Sequence, residues 1–165
     1  MDEYEGWMIG RLPDEWFETA PEVSVDRDEI VVVGRLEAPT GAESEGAQRA
    51  AEAGRIKRFR EETRGKRMRI ADEAELRFGR KVAWGAVCGQ TRQLFTSLSV
   101  PVMTRLRQSE RQVLDTLVDA GVARSRSDAL VWSVRLVGQH QGEWIGQLRE
   151  ALVGVEAARA AGPKV

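Results

Sequence analysis

The stretch RLRQSERQVLDTLVDAGVARSRSDAL, residues 105–130, holds the clearest local folding signals of this chain. Apolar residues in 113–118 recur at helical spacing, which predicts a helix of about three turns. Gly121 follows where a left-handed C-terminal cap is expected. Ser125 then precedes Asp128 by three residues, a pattern typical of a helix start. The stretch therefore predicts two short helices joined by a tight turn.

A third element precedes these helices. Residues 101–106 alternate with a period of two, which predicts a β-strand. One face of that strand carries Val102, Thr104 and Leu106, and the other carries Pro101, Met103 and Arg105. The second helix has its own apolar stripe of Leu130, Val131, Val134 and Val137. Since neither short helix can bury its stripe alone, the segment needs a surface on its other side.

The order of strand, helix, turn with Ser125-Arg126-Ser127, and helix resembles the ribbon-helix-helix family of bacterial regulators. The resemblance runs from about Ser99 to Gly138, roughly a quarter of the chain. It implies a homodimer in which two copies of the strand pair antiparallel and each chain supplies half of one core. The core residues that it implies are Val102, Leu106, Leu114, Leu117, Leu130, Trp132 and Val134.

The resemblance also implies double-stranded DNA as the partner. In the family, outward strand side chains enter the major groove, and the N-terminus of the second helix holds a backbone phosphate. The base-contacting residues carried over to this chain are Pro101, Met103 and Arg105. The corresponding phosphate contacts are Ser125, Arg126 and Ser127.

The reading face departs from the family's usual donors. Arg105 is a good base-edge donor, whereas Met103 offers apolar contact to a thymine methyl and Pro101 donates nothing. Inward Thr104 is unusual as well, because its hydroxyl needs a partner at the dimer seam. A second hypothesis therefore stays open, in which the fold serves only for dimerisation in a protein-interaction adaptor or an antitoxin-like protein.

Charge divides unevenly along the chain. Residues 1–50 hold 13 Asp/Glu against 4 Lys/Arg, whereas 54–70 hold eight Lys/Arg. This basic segment either follows DNA phosphates beside the ribbon or pairs with the acidic N-terminal segment, and both interpretations are open. The residues predicted to contact flanking DNA backbone are Arg55, Lys57, Arg58, Arg60, Arg64, Lys66, Arg67 and Arg69.

The remaining segments predict an α+β fold that is mostly helical. Residues 22–36 read as a β-hairpin, and 47–78 as a long basic helix with a bend near Gly65. Two short strands are expected at 81–84 and 92–100. An amphipathic helix is expected in 143–162. Three roles are open for it: it extends the dimer core, covers the N-terminal hairpin or contacts another protein. We expect four segments: an acidic one with the hairpin (1–46), the basic helix and strands (47–93), the ribbon-helix-helix (94–138) and the C-terminal helix and tail (139–165).

Several classes of function are not expected. The acidic start does not resemble a signal peptide, and no apolar run of 18 residues is present, so we expect a cytoplasmic protein without membrane contact. Cys88 reads as a buried packing residue, and with His140 alone it makes no convincing metal site. No phosphate-cradling glycine motif or catalytic triad is spelled out. We therefore expect no catalysis and no cofactor.

Overall fold

The β-branched residues of 22–36 form the predicted hairpin, β1 (Glu22–Val25) and β2 (Glu29–Leu36), in the computed structural model, which describes residues 3–41 and 43–162. β2 also pairs in parallel with β3 (Lys81–Cys88), with Ile30 opposite Val82. β3 turns back antiparallel into β4 (Thr91–Leu94). The four strands thus lie side by side in the order in which the chain makes them.

Helices supply the connection that a parallel strand pair requires. Between β2 and β3 the chain forms α2 (Glu45–Glu62) and α3 (Arg64–Phe78). Before the sheet it forms α1 (Glu3–Arg11), which no pattern had predicted, and the single turn Asp14–Trp16 at the expected place. Ser44 caps α2 by accepting from the amide of Ala47 at 3.2 Å.

The main core lies between the sheet and these helices. Aromatic rings meet at its centre, where Trp16 packs edge-on against Phe59 at 5.6 Å and against Trp84 at 6.2 Å between centroids. On β2, Gly34 leaves room for Phe17, because a Cβ there would stand 2.0 Å from that ring. Other buried members of this core are Met8, Leu12, Ile30, Val32, Leu36, Ile56, Ile70, Ala74, Ala86, Cys88 and Phe95.

A buried carboxylate holds the turn between β3 and β4. Glu52 on α2 is 2% exposed, and its Oε2 accepts from the Thr91 hydroxyl at 2.7 Å and from the Thr91 and Gln90 amides. The Thr91 hydroxyl is the main reason that the pKa of Glu52 lies below its usual value of 4.5. Gly89 in this turn has φ +54, and a Cβ there would stand 2.0 Å from Glu52.

The long basic helix breaks at Thr63, two residues before the bend expected at Gly65. The Thr63 hydroxyl donates to the Phe59 carbonyl at 2.6 Å and accepts from Arg67 Nε at 3.0 Å. Arg67 Nη2 donates to the Arg60 carbonyl at 2.7 Å. Side chains of Thr63 and Arg67 therefore satisfy backbone carbonyls near the end of α2, where α3 begins.

Two compact units divide the chain, residues 1–101 (unit 1) and 102–165 (unit 2). The predicted segments 1–46 and 47–93 share the single core of unit 1, because β2 and β3 pair across them. The second predicted strand of this region ends at Leu94 rather than Val100. Residues 95–107 form no helix or strand, and the predicted strand 101–106 is among them.

Unit 2 contains the predicted helices α4 (Gln108–Asp119), α5 (Arg126–His140) and α6 (Gly142–Ala161). The fold class is thus α+β and mostly helical, as expected. Pro163 to Val165, the end of the predicted C-terminal tail, lie outside the described residues, as do residues 1, 2 and 42.

We expect Glu52→Gln to lower the melting temperature at pH 7 for two reasons. The NH2 group that replaces Oε1 cannot accept the hydrogen bond from Gln48 Nε2, and a neutral amide oxygen accepts the three bonds at Oε2 less strongly than a carboxylate. A carboxylate whose pKa is lowered by folding stabilises above its unfolded value, and this contribution is lost as pH falls through the folded value. The gap between variant and parent should therefore shrink below pH 4.5. Thermal unfolding followed by circular dichroism measures it, with exposed Glu62→Gln on the same helix as control. An equal gap at both pH values would contradict this assignment.

Candidate nucleic-acid interface

The predicted reading segment is open to solvent in the single chain. Met103 is 98% exposed and Val102 is 84% exposed, and Pro101, Thr104 and Arg105 are also exposed. A strand is defined by a hydrogen-bonded neighbour, and the lone chain offers none to residues 101–106. The predicted inward and outward faces are therefore not distinguished here, except that Leu106 is half-buried against Leu114.

The turn between α4 and α5 forms as its sequence predicts. Gly121 has φ +73, its amide donates to the Val118 carbonyl, and the amide of Val122 donates to the Leu117 carbonyl at 3.0 Å. This pair of hydrogen bonds forms a Schellman cap, which requires the left-handed conformation that glycine adopts easily. The turn fixes where α5 begins.

Ser125 caps the start of α5. Its hydroxyl accepts from the Asp128 amide at 3.2 Å, and the Asp128 carboxylate accepts from the Arg124 amide at 3.0 Å. The amides of Arg126 and Ser127 have no acceptor within the helix, because the first N–H groups of a helix never do. This helix start therefore presents two free donors at the positive end of its dipole.

The positive charge of Arg126 at the start of α5 is offset by an ion pair with an acidic side chain. Its Nε and Nη2 bind both oxygens of Asp115 on α4, at 2.6 and 2.7 Å. This bidentate bond lowers the pKa of Asp115 and raises that of Arg126. Of the three predicted phosphate contacts, Ser125 is occupied as a cap, Arg126 is paired, and only the Ser127 side chain makes no bond within the described chain.

The predicted dimer core is only partly buried in one chain. Leu114 is buried, and Leu106, Leu117 and Leu130 pack partly against it with Ala123 and Ala129. Val102, Trp132 and Val134 remain exposed, at 84%, 36% and 66%. Other large apolar residues exposed in the described part of unit 2 are Met103, Val113, Val122, Val131, Leu136, Val137, Trp144, Leu148, Leu152, Val153 and Val155.

The eight cations predicted to contact flanking DNA differ in their exposure and in their ion pairs. Lys66 pairs with Glu15 of the acidic N-terminal segment at 3.7 Å, which agrees with the internal-pairing interpretation at that position. Arg67 is 7% exposed, which leaves little of this residue open to flanking DNA. The other six form no ion pair with any residue in 3–41 or 43–162: Arg55, Lys57, Arg58, Arg60, Arg64 and Arg69.

A cleft in unit 1 was not predicted from sequence. It has a volume of about 860 Å³ and lies between α2, α3 and the β3–β4 strands. Lys57, Arg60, Arg64 and Arg67 line it together with one acid, Glu61. The cations follow each other at intervals of three, four and three residues, so they share one face of the helices. This spacing was visible in the sequence, but the inward direction of that face was not.

Three further features of the described residues bear on function: metal-ligating side chains, the cysteine and the length of the apolar helices. No group of three or more His, Cys, Asp or Glu side chains in 3–41 and 43–162 is arranged to hold a metal ion. Cys88 is fully buried, as predicted, and burial raises the pKa of its thiol. Within the same ranges, no helix is both long and apolar enough to cross a bilayer.

Comparison with known proteins divides the chain at nearly the same place as the fold. Residues 2–94 match the N-terminal domain of Rv1265-like proteins, and residues 107–159 match the Mb1296 C-terminal domain. The uncharacterized proteins Mb1296 of Mycobacterium bovis and Rv1265 of Mycobacterium tuberculosis are each 60% identical over 157 residues. These matches cover 95% of this chain and 69% of each relative. No solved structure matches the chain.

We expect Ser125→Ala to destabilise the start of α5 by about 1 kcal/mol, because the amide of Asp128 loses its acceptor. Amide hydrogen exchange in a peptide covering 126–140 should then be about fivefold faster when measured by mass spectrometry. Ser127→Ala is the control, since that hydroxyl caps nothing. Equal acceleration in both variants would show that Ser125 has no special role.

Proposed function

The chain belongs to the Rv1265-like family, and from the geometry of unit 2 we propose that it is a homodimeric DNA-binding transcription regulator. Two copies of residues 101–106 pair as an antiparallel ribbon, and this ribbon enters the major groove. The proposal combines the resemblance of 99–138 to ribbon-helix-helix proteins with the contacts of the single chain.

The apolar surface that unit 2 leaves uncovered is the observation that carries the proposal. Among residues 102–162, the described part of this unit, only Leu114, Ala123 and Ala129 are buried, whereas Trp132 and Val134 on α5 are in contact with solvent. Fully burying a side chain of this size contributes about 1.5–3 kcal/mol. A second copy offers the same apolar face, so pairing two copies covers both at once.

The unpaired segment before α4 supports the same arrangement. Residues 95–107 have no strand partner in the lone chain, and Val102 is 84% exposed although it is a strong strand former. Antiparallel pairing with a second copy supplies backbone partners and directs Val102 and Leu106 to one face. Met103 and Arg105 then lie on the opposite face, where DNA is met.

The start of α5 supplies the backbone contact. The free amides of Arg126 and Ser127 and the Ser127 hydroxyl are suited to a phosphate oxygen. Asp115 holds the Arg126 guanidinium against α4, so Arg126 acts in this proposal mainly through its amide. The contact is therefore weakly charged, and Arg105 carries most of the sequence preference.

A dimerisation-only role is the second candidate, favoured by the chemistry of the reading face. Pro101 and Met103 offer DNA no hydrogen-bond donor, and Arg126 is neutralised by Asp115. In this alternative the same dimer presents its ribbon or α6 to another protein, as an adaptor or antitoxin-like binder would. The two candidates share the dimer and differ in whether DNA binds.

We expect Val134→Glu to abolish the dimer, because a carboxylate in the apolar seam is costly to bury. Sedimentation velocity at micromolar concentration should show a dimer for the parent chain and a monomer for this variant. Val153→Glu is a matched control, since Val153 on α6 is equally exposed, at 66%, and lies outside the proposed seam. A parent chain that sediments as a monomer would overturn the proposal.

We expect Arg105→Ala to weaken binding to a selected DNA site by about 1–3 kcal/mol and to flatten the preference between sequences. The site is obtained by selecting fragments from a random DNA pool, and affinity is then measured by fluorescence anisotropy at several salt concentrations. Arg149→Ala on α6 removes the same charge outside the ribbon and should leave the sequence preference unchanged. A dimer that binds no DNA at low salt would instead favour the dimerisation-only role.

A further inference from the structure

The cleft of unit 1 that is lined by cations plays no part in the DNA contact proposed for unit 2. Its four cations, Lys57, Arg60, Arg64 and Arg67, face one acid, Glu61. None of the four forms an ion pair with a residue in the described part of the chain. Like charges gathered in one concave site repel each other, so the free protein bears an electrostatic cost there.

Arg67 shows how strongly the charges are concentrated. The residue is 7% exposed. Its Nε donates to the Thr63 hydroxyl and its Nη2 to the Arg60 carbonyl, so Nη1 takes part in neither bond. Burial, and then the charges of Arg60 and Arg64, lower its pKa to about 10. The group is still protonated at neutral pH, so a fixed positive charge stays at the base of the cleft.

Apolar side chains also line the cleft. Trp84 and Phe95 lie under the arginines, with the Arg67 Cζ atom 4.9 Å from the Phe95 ring centroid and 6.0 Å from that of Trp84. Met68 and Val82 also line the cavity. Its volume of about 860 Å³ lies in the range of small-molecule sites. An occupant thus needs both an anionic part and an apolar part.

We propose that this cleft binds a small organic phosphate, with its anionic groups against Arg60, Arg64 and Lys57 and an apolar ring against the wall of Met68 and Val82. Guanidinium groups bind phosphate oxygens through paired hydrogen bonds, which suits a ligand with two or three negative charges. A ligand of this kind neutralises the repulsion around Arg67 and stabilises unit 1. All the residues of this site belong to unit 1.

Isothermal titration calorimetry on the full chain, at neutral pH and constant ionic strength, tests this with three probes. ADP carries phosphate and a flat ring, pyrophosphate carries only the anion, and adenosine carries only the ring and sugar. We expect ADP to bind best, pyrophosphate more weakly and adenosine least, and ADP to raise the melting temperature. Absence of heat with both phosphates, or equal binding of ADP and adenosine, would overturn the proposal. If pyrophosphate binds as well as ADP, the apolar wall plays no part and the organic-ligand proposal is wrong.

Charge variants separate the cleft from the general basicity of α2 and α3. Arg64→Gln should weaken ADP binding about tenfold, because one charge-assisted contact is lost. Arg58→Gln removes the same charge from α2 outside the cleft and should leave ADP binding almost unchanged. Equal losses in both variants would show only a diffuse electrostatic effect. If Arg64→Gln weakens DNA binding while neither phosphate probe binds the parent chain, the cleft serves DNA instead.

A steric variant tests the cleft without removing any charge. Gly54 on α2 lines the cavity, and nothing stands within 4 Å of a Cβ placed there. Gly54→Leu favours the helix while it fills the cavity, so we expect the melting temperature to hold or rise and ADP affinity to fall at least tenfold. Gly46→Leu on the same helix is equally open but lies outside the cleft, and it should bind ADP as the parent does. Unchanged ADP affinity in Gly54→Leu would place the ligand elsewhere.

Discussion

Arg67 lies beside the junction of the two helices that connect the parallel strands, and its hydrogen bonds hold this junction together. Its hydrogen bonds to Thr63 and to the Arg60 carbonyl allow α2 to end and α3 to begin within one residue. Both helices belong to the connection between β2 and β3, which pair in parallel. The Arg67 guanidinium also lies over the Trp84 ring and lines the cleft. One side chain therefore takes part both in the helix junction and in the cleft.

The two units solve the problem of burial differently. Unit 1 closes its core with aromatic contacts from Trp16, Phe59 and Trp84 and satisfies its buried acid, Glu52, internally. Unit 2 has three helices but hides little of their apolar surface, and Trp132 remains partly open to solvent. A small helical unit of this kind gains most from association, because its own chain is too short to cover every apolar face.

Elements with local signals were predictable from the sequence. The hairpin at 22–36 and the α4–α5 turn with Gly121 and Ser125 formed as expected, because turn and cap residues act within a few positions. The parallel pairing of β2 with β3 joins residues about 50 positions apart, which no local pattern encodes. The cleft shares this limit: the cation spacing on α2 and α3 was readable, but only the packed sheet decides which helix face turns inward.

Cys88 gives the molecule a chemical property that follows from its place on β3. The thiolate is the form that reacts with alkylating reagents, and burial raises the pKa of this thiol while its sulfur lies 3.6 Å from the Glu37 carbonyl. An alkylating reagent can therefore react with Cys88 only when the structure around β3 opens and exposes the thiol. Because the chain has a single cysteine and it lies in unit 1, its alkylation rate reports the opening of unit 1 around β3.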